Sequence, residues 1–340
     1  MSIKHADVIV DLQYGDTGKG KVAHHLAKSG DYDVVLRYNG GSNAGHTVYH
    51  NGVKVVTHQV PVGVLHGIPS IIGPGCVVNV PKLREEVKML NDMGFNTKEL
   101  LKVDYRAHVV THDHIEEDSS DEKIGTTKQG IGPAYRDKYG RKGTRIIDYK
   151  SQFHADLFSI IDIYDAWFVN RVARSILCEG AQGFHLDIDW GDYPYVTSSH
   201  CTVGAVCLNG IPPQNIRKVI GVMKAYETYV GNKTHFTNEN DPVFTRIQEV
   251  GNEFGATTGR PRKVNWLNLD NVIKAVHING VNELIINKAD VLQTVGQFAA
   301  IYESTLTTFD TFDEFKSFVE RALPAQVLKS TTWSFTPESI

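Results

Sequence analysis

The stretch ADVIVDLQYGDTGKGKVAHHLAKSG, residues 6–30, decides the fold. Residues 6–12 form a short apolar run rich in β-branched side chains, which predicts a buried strand. A glycine-rich loop follows directly, and residues 21–29 predict a helix that stops at Gly30. A strand, a glycine loop and a helix in this order bring backbone N–H groups and a helix N-terminus together around a phosphate.

The loop GDTGKGK, residues 15–21, is one residue short of a P-loop, because Val22 replaces the Ser or Thr that binds magnesium. The glycines and two lysines of the loop favour phosphate binding over a plain tight turn. Asp16 would repel a phosphate unless a metal ion or a proton offset its charge. We therefore expect Asp16 either to bind Mg²⁺ in place of the missing hydroxyl or to act as a base on a neighbouring substrate.

The composition is that of an ordinary globular protein, with 340 residues, 41% of them hydrophobic and 22% charged. The formal net charge of −4 gives no sign of a nucleic-acid partner. The four cysteines contain no CxxC pair, and no apolar run reaches the roughly 18 residues of a membrane span. We expect a cytoplasmic protein with reduced thiols and with neither a nucleic-acid nor a membrane partner.

Strand and helix patterns alternate along the rest of the chain. Residues 33–38 and 283–290 are strand-like, and Asn51-Gly52 between two β-rich runs predicts a hairpin. Helices are predicted for residues 80–94, 156–175, 268–278 and 311–323. Residues 112–143 have little apolar periodicity and are expected to be mostly loop, starting with the solvated acidic stretch HDHIEEDSSDE. The alternation predicts one α/β domain over residues 1–340 around a mostly parallel sheet.

A second glycine-rich loop, NGGSNAGHT, follows the strand-like residues 33–38. Its Asn43 and His46 are compact hydrogen-bonding groups suited to a ligand, and a flexible turn without function is the alternative interpretation. NKAD, residues 287–290, ends another apolar run. In nucleotide-binding proteins the carboxylate of Asn-Lys-x-Asp accepts hydrogen bonds from guanine, which makes Asp290 a candidate base contact.

A third loop, GATTGRPRK, spans residues 255–263 and offers two hydroxyls and several cations. Arginine binds carboxylates through two parallel hydrogen bonds, so this loop suits an acidic substrate. A solvated basic turn is the alternative.

Seven segments taken in order resemble signature segments of the adenylosuccinate synthetase family. They are GDTGKGK, NAGHT, GTTKQGIGPAY, EGAQG, YPYVTSS, GNEFGATTGRPR and NKADVL, and the resemblance extends from Asp11 to about Leu292. It implies a single large α/β domain, a homodimer and a Mg²⁺-dependent ligase that uses ATP or GTP. Such a ligase phosphorylates the 6-oxygen of a purine monophosphate, and the amino group of L-aspartate then displaces the phosphate.

The resemblance also implies a role for each matching residue. Asp16 would take the N1 proton of the purine and bind Mg²⁺ together with the backbone carbonyl of Gly45, and His46 would stabilise the transferring phosphoryl group. The triphosphate would contact Thr17, Gly18, Lys19, Gly20, Lys21, Thr47, Lys288 and Asp290. The purine monophosphate would contact Asn43, Thr127, Gln182, Thr197, Val230 and, reaching over from the partner subunit, Arg141. Aspartate would contact Thr257, Thr258, Arg260 and Arg262.

Several features depart from the usual pattern of the family. The residue after Asp16 is Thr17 rather than Glu, Ser42 replaces a His or Thr, and the chain is short. VGNKTHFTNE, residues 230–239, replaces VGAGPFPTE beside the ribose, and the terminal Ser-Thr-Gly-Pro motif appears as STTW, residues 330–333. This combination most resembles a phage branch, the 2-aminoadenylosuccinate synthetases, which use dGMP. We therefore predict dGMP as the substrate, in the host cytoplasm if the chain is viral, with IMP and GTP as the alternative.

A regulatory P-loop GTPase is the competing class, since it too would have a glycine loop and an Asn-Lys-x-Asp motif. It would need a hydroxyl where Val22 stands, and it would have no use for a loop that binds aspartate. Phosphate release that depends on aspartate separates the two classes.

Overall fold

The computed structural model describes residues 3–120, 122–149, 157–170, 174–232, 241–255, 259–336, 338 and 340. The strands are β1 His5–Asp11, β2 Val34–Arg37, β3 His46–His50, β4 Val53–Thr57, β5 Ser70–Ile72, β6 Val77–Val78, β7 Leu101–Asp104, β8 His108–Val109, β9 Ser159–Ile161, β10 Ser175–Glu179, β11 Ile216–Lys224, β12 Tyr226–Tyr229, β13 Lys263–Asn268, β14 Glu283–Asn287, β15 Phe298–Tyr302, β16 Thr305–Phe309 and β17 Ser330–Trp333. The helices are α1 Lys19–Lys28, α2 Val80–Asp92, α3 Thr97–Leu100, α4 His112–Ser119, α5 Ile131–Tyr139, α6 Gly204–Cys207, α7 Pro242–Gly251, α8 Leu269–Asn279, α9 Ala289–Val295 and α10 Phe312–Ala322.

A nine-stranded sheet in the order β17-β14-β11-β1-β10-β2-β5-β7-β9 forms the centre of the fold. Every pair of neighbours in it is parallel. The predicted α/β class with a mostly parallel sheet is therefore confirmed. A smaller mixed sheet, in the order β12-β13-β15-β16, and two pairs of strands complete the β-structure of the described residues.

Both faces of the central sheet are covered, as its parallel topology requires. Along β1 the alternate residues Val8 and Val10 belong to one apolar core, together with Val272 of α8. Ile9 between them belongs to a second core, together with Val22 of α1. The continuous apolar run in β1 thus follows from burial on both sides rather than from an amphipathic strand.

Parallel strands bring their carboxyl ends to one edge of the sheet, and four of the segments predicted to be functional lie at this edge. The glycine loop follows β1, NGGSNAGHT follows β2, GAQG follows β10 and NKAD ends β14. The predicted hairpin is confirmed by β3 and β4, which pair antiparallel. Asn51 and Gly52 have φ values of 51° and 78° at its turn, the left-handed conformation that Asn-Gly favours.

The expectation that residues 112–143 are mostly loop is wrong, because they contain α4 and α5. Helix α4 starts with a capping box in which His114 takes the position of the usual Glu, its Nδ1 accepting the Thr111 N–H at 3.0 Å. The stretch HDHIEEDSSDE is therefore mainly helix, and its buried His114 faces Asp137 at 3.2 Å. Helix α5 buries Ile131 and Tyr135, a helical spacing with too few apolar residues to stand out in the sequence.

The helix predicted for residues 156–175 is confirmed only in part. Ser159–Ile161 instead forms the edge strand β9, whose β-branched isoleucines pair with β7. Residues 163–169 are helical, with a π-helical turn at Asp165–Val169, and residues 156 and 171–173 lie outside the described residues. The remaining helix predictions are confirmed by α2, α8 and α10. Among the described residues, no helix has the length and apolar character needed to cross a bilayer.

Candidate active site

The loop after β1 is organised by Asp11, the last residue of that strand. Its buried carboxylate accepts hydrogen bonds from the backbone N–H groups of Gln13 at 2.9 Å and Gly15 at 3.2 Å. It also accepts from the Thr17 hydroxyl and from Lys19 Nζ, the latter at 2.8 Å. Sequence reasoning missed Asp11, although a carboxylate at the end of a buried strand beside a glycine loop is a usable signal.

Two glycines of this loop are required by close packing. Gly18 has φ of 98°, and a Cβ there would lie 2.7 Å from the side-chain nitrogen of Asn287. Asn287 donates from that nitrogen to the Thr17 carbonyl at 2.7 Å. A Cβ at Gly20 would lie 2.7 Å from Cβ of His46. The loop, the NKAD segment and β3 therefore meet in van der Waals contact.

Asp16 lies at one end of a series of charged side chains in contact. Its backbone is left-handed, with φ of 55°, and its carboxylate accepts a hydrogen bond from Arg262 Nε at 2.8 Å. Arg262 Nη1 also donates to Glu253 Oε2 at 2.6 Å, and Lys224 Nζ donates to the same oxygen at 2.7 Å. The predicted base is thus in direct contact with an arginine that was predicted to bind aspartate.

The buried side chains of Lys224, Glu253 and Arg262 keep one another in their charged forms. Burial raises the pKa of Glu253, but the charges of Lys224 and Arg262 outweigh it and hold the pKa at about 2. Burial lowers the pKa of Lys224 to about 8, with Glu253 opposing that shift. Sequence reasoning missed Lys224 and Glu253, because no sequence pattern shows that the two residues meet beside Arg262 in the folded protein.

His46 begins β3 and is buried beside two residues that sequence reasoning also missed. Arg37 Nη1 lies 3.2 Å from its Nε2, and a Glu179 oxygen lies 3.7 Å from its Nδ1. Burial first, then the charges of Arg37 and Lys19, lower the pKa of His46 well below its usual 6.5. The imidazole is therefore neutral at pH 7, its ring is hydrogen-bonded to the backbone of Gly180, and Arg37 beside it supplies the fixed positive charge.

Lys21, in the first turn of α1, reaches the C-terminal segment. Its Nζ donates to the Ser334 hydroxyl at 2.6 Å and to the Thr336 carbonyl at 3.0 Å. Burial lowers the pKa of Lys21 to about 8, and Asp290 opposes that shift. The stretch STTW itself is β17, the edge strand beside β14, so the contact with the phosphate loop comes from the residues just after it.

A cavity of about 960 Å³ lies over this edge of the sheet. Most of the predicted site residues line it, namely Asp16, Thr17, Gly18, Lys19, Gly20, Lys21, Asn43, Gly45, His46, Thr47, Thr127, Gln182, Thr197, Val230, Arg262, Lys288 and Asp290. Gln182 has left-handed backbone, with φ of 56°, and its buried Oε1 has no hydrogen-bond partner among the described residues. An unpaired buried acceptor in a cavity wall is a site that a ligand N–H can satisfy.

Two described residues of the predicted site, Arg141 and Arg260, do not line this cavity. Arg141 follows α5 in left-handed conformation and is exposed away from the cavity wall. Arg260 donates to the carbonyl of Gly125, a wall residue, at 3.3 Å. Thr257 and Thr258 lie outside the described residues, as does most of the stretch 230–239.

The parallel sheet, the phosphate-type loop and the cavity with a paired carboxylate define the class, an α/β enzyme acting on a phosphorylated ligand. A family model described as adenylosuccinate synthetase matches residues 8–172 and 168–322. Among curated proteins, the adenylosuccinate synthetase of Chlorobium phaeobacteroides is 38% identical over 86% of this chain and 78% of its own length. That of Chlorobium chlorochromatii is 39% identical over 85% and 77%. The chain therefore belongs to the adenylosuccinate synthetase family, C–N ligases that use GTP and Mg²⁺.

Two solved structures are similar over nearly the whole chain. A fully ligated adenylosuccinate synthetase from Plasmodium falciparum has a TM-score of 0.84 and 28% identity, covering 98% of this chain and 97% of its own. The succinoaminodeoxyadenylate synthetase of cyanophage S-2L, bound to dGMP and dATP, has a TM-score of 0.78 and 25% identity, covering 99% and 94%.

Proposed function

We propose that this ligase joins L-aspartate to IMP with GTP as the phosphoryl donor, the substrates to which its more similar relatives point. The observation that carries the proposal is the contact between Asp16 and Arg262 in the wall of a cavity that also contains Lys21 and His46. A base, an anion-binding arginine and a phosphate loop share one cavity there. That combination suits a reaction that joins phosphoryl transfer to the addition of an acidic amine.

In the first step, Asp16 takes the N1 proton of the purine, which makes the 6-oxygen nucleophilic. That oxygen forms a bond to the γ-phosphorus of the triphosphate, and the bond from this phosphorus to the β-γ bridging oxygen breaks, so that the diphosphate leaves. Charge accumulates on the oxygens of the transferring phosphoryl group, where the backbone N–H groups of residues 17–21 can stabilise it. His46 would contribute by turning its N–H from the Gly180 backbone toward these oxygens. The nucleobase of the triphosphate extends toward Lys288 and Asp290, with Thr47 beside the phosphates.

Mg²⁺ fits the donors present, because Asp16 and the Gly45 carbonyl offer hard oxygens on one cavity wall. When bound there, the ion supplies positive charge near the phosphates. Arg262 holds one carboxylate oxygen of Asp16, so the other oxygen, or the whole carboxylate after turning from the arginine, would serve the ion or the purine.

In the second step, the amino nitrogen of aspartate forms a bond to C6, and phosphate leaves with the former 6-oxygen and takes the proton that the amine loses. We assign the carboxylates of aspartate to Arg262, Arg260, Thr257 and Thr258. An incoming carboxylate competes with Asp16 for Arg262. Binding of aspartate therefore frees the Asp16 carboxylate to accept the N1 proton of the purine. Asn43, Thr127, Gln182, Thr197 and Val230 would hold the purine monophosphate.

A second candidate substrate is dGMP. Its support is the likeness to the cyanophage enzyme bound to dGMP and dATP, together with the unusual stretch 230–239. For either substrate we propose a homodimer in which Arg141 reaches the partner's cavity, since this side chain lies exposed outside its own.

The test is phosphate release by the purified protein with Mg²⁺ and L-aspartate, supplying IMP or dGMP, each with GTP, ATP or dATP. Turnover with IMP and GTP, at least tenfold above that with dGMP, supports the first proposal. Turnover confined to dGMP would reject IMP in favour of the second candidate. Turnover with neither purine would reject both.

A further inference from the structure

Three histidines outside the cavity converge from three separate elements. His24 lies on α1, His50 ends β3, and His66 ends the 3-10 turn Val62–His66. One ligand nitrogen from each ring lies within 4.8 Å of the other two. From this convergence we propose a binding site for a divalent transition-metal ion, Zn²⁺ above all, formed by His24, His50 and His66. The proposal is independent of the ligase substrates.

The spacing of the rings is close to what zinc requires. His66 Nε2 and His24 Nδ1 are 3.0 Å apart. Two imidazole nitrogens bound to one tetrahedral Zn²⁺ at 2.0–2.1 Å are about 3.3 Å apart, so this pair needs to open by only a few tenths of an ångström. The ring centroid of His50 lies 5.5 Å from that of His24 and 5.4 Å from that of His66. Rotation of the His50 side chain can therefore bring its ligand nitrogen to the other two.

The surroundings of the three rings also suit a metal ion. All three rings are half-buried, and the ring of His24 is hydrogen-bonded to the backbone carbonyl of Tyr49, the kind of contact that orients ligating histidines. His24 Nδ1 and His66 Nε2, the nitrogens that would hold the ion, already face each other.

The ligand chemistry separates this site from the magnesium donors of the cavity. Three imidazole ligands favour Zn²⁺, Cu²⁺ or Ni²⁺ over Mg²⁺, which prefers oxygen. A fourth position is left for water, because the cluster is only half-buried. The nearby ammonium of Lys28 is exposed at the end of α1 and is screened by solvent.

A bound ion would connect α1 to β3. Helix α1 begins with the lysines of the phosphate loop, and β3 begins with His46, so the ion would fasten together two elements that supply the cavity. The ion binds only the folded chain, since the three histidines are far apart in sequence. It should therefore raise the thermal midpoint.

The experiment is titration of the chelator-treated full-length protein with Co²⁺ and Zn²⁺, carried out on a Cys207→Ser background because Cys207 is an exposed thiol. We expect one Co²⁺ per chain with the absorption of a tetrahedral ion, displaced by Zn²⁺, and a higher thermal midpoint with Zn²⁺. His50→Ala should weaken binding at least tenfold and remove the thermal shift. His25→Ala is the matched control, because this exposed histidine also lies on α1 but outside the trio, and it should bind like the parent.

Absence of Co²⁺ binding by the parent protein would overturn the proposal, as would equal binding by His50→Ala. If His50→Ala does not fold by circular dichroism, His66→Asn replaces it with the same expectation. A second group of possible ligands, Asp187, Asp189 and His200, could also take up the ion. Its Asp187 carboxylate already accepts backbone N–H groups from Asp189, Trp190 and Cys201. Loss of binding in His200→Ala, with His50→Ala unaffected, would move the site there and refute the trio.

Discussion

Asp16 is the residue on which the proposed chemistry depends most. Replacing it with Asn keeps the size of the side chain but removes the base, so we expect phosphate release to fall by at least about 100-fold, the usual contribution of a general base. His46→Asn should also abolish turnover, since the shorter side chain removes the imidazole ring from beside the transferring phosphoryl group. Both variants should keep the circular dichroism spectrum of the parent.

The exposed carboxylate Asp31 gives the matched control, because it lies beyond the end of α1 and outside the cavity. Asp31→Asn should have the turnover of the parent. A rate near that of the parent for Asp16→Asn would remove Asp16 from the mechanism.

We predict that Glu253 stabilises the fold and also orders the site. An unfolded glutamate titrates near about 4.3, and the folded pKa of about 2 makes the ionised form worth roughly 3 kcal/mol. Because the folded pKa is depressed, this contribution is present above about pH 4.3 and is lost as the pH falls toward 2. Glu253→Gln should therefore cost about 3 kcal/mol in urea unfolding at pH 7, and the difference from the parent should shrink below pH 4.

The control for Glu253 is Asp92→Asn, which breaks only the exposed pair between Lys88 and Asp92. It should change stability by less than about 0.5 kcal/mol. A Glu253→Gln variant as stable as the parent at pH 7 would contradict the charge chain described above.

Lys21 predicts a pH dependence for binding of the triphosphate. Its folded pKa of about 8 means that the ammonium is largely charged at pH 7 and largely neutral at pH 9. The phosphates select the charged form, so above pH 8 binding takes up a proton and the Kd should rise by up to tenfold per pH unit. Titration calorimetry in buffers of different ionisation enthalpy measures this uptake, and Lys21→Met should show weaker binding without it. A Kd that is constant between pH 7 and 9 would contradict the prediction.

At the scale of single elements, α1 depends on contact with β3. Alanine is favoured over glycine within a helix by about 1 kcal/mol, yet a Cβ at Gly20 would lie 2.7 Å from Cβ of His46. Gly20→Ala should therefore displace His46, lower turnover at least tenfold and give no gain in stability. The comparison is Gly204→Ala in α6, where the added Cβ meets only Thr202 at 3.6 Å, and this variant should be fully active. A Gly20→Ala variant that is both active and stabilised would show that the contact is unimportant.

The elements also show where sequence patterns were sufficient. Strand β1, helix α1 and the hairpin at Asn51-Gly52 were predicted because their signals are local, namely a buried run, a glycine loop and a left-handed turn. Helix α4 was missed because its capping box contains a histidine where a Glu is usual, and α5 was missed because it has few apolar residues. Strand β9 was mistaken for a helix because its identity depends on pairing with β7, which no local pattern reports.

The site divides in the same way. The residues of the glycine loop could be named from sequence because they are contiguous, and they all line the cavity. Arg37, Lys224 and Glu253 could not, since each acts through a partner that only the folded sheet brings close. The histidine trio of α1, β3 and the 3-10 turn escaped for the same reason.

At the scale of the whole molecule, the proposed dimer predicts complementation. In a mixture of Asp16→Asn and Arg141→Ala chains, a mixed dimer has one site with an intact Asp16 that receives Arg141 of the partner subunit. Random pairing in a symmetric dimer should restore roughly one quarter of the activity of the parent, although each variant alone is nearly inactive. Lack of recovery, with exchange of subunits shown by mass spectrometry, would reject the crossing of Arg141.

The most direct test of the ligase chemistry follows one oxygen atom. The protein is supplied with IMP labelled with ¹⁸O at the 6-position, GTP, Mg²⁺ and L-aspartate, and the released phosphate is analysed by mass spectrometry; dGMP labelled in the same way serves if IMP is not turned over. We predict that each phosphate carries one ¹⁸O atom and that release stops when aspartate is omitted, because the 6-oxygen leaves with the phosphoryl group. Unlabelled phosphate, released whether or not aspartate is present, would mean that water attacks the triphosphate and would contradict the ligase mechanism.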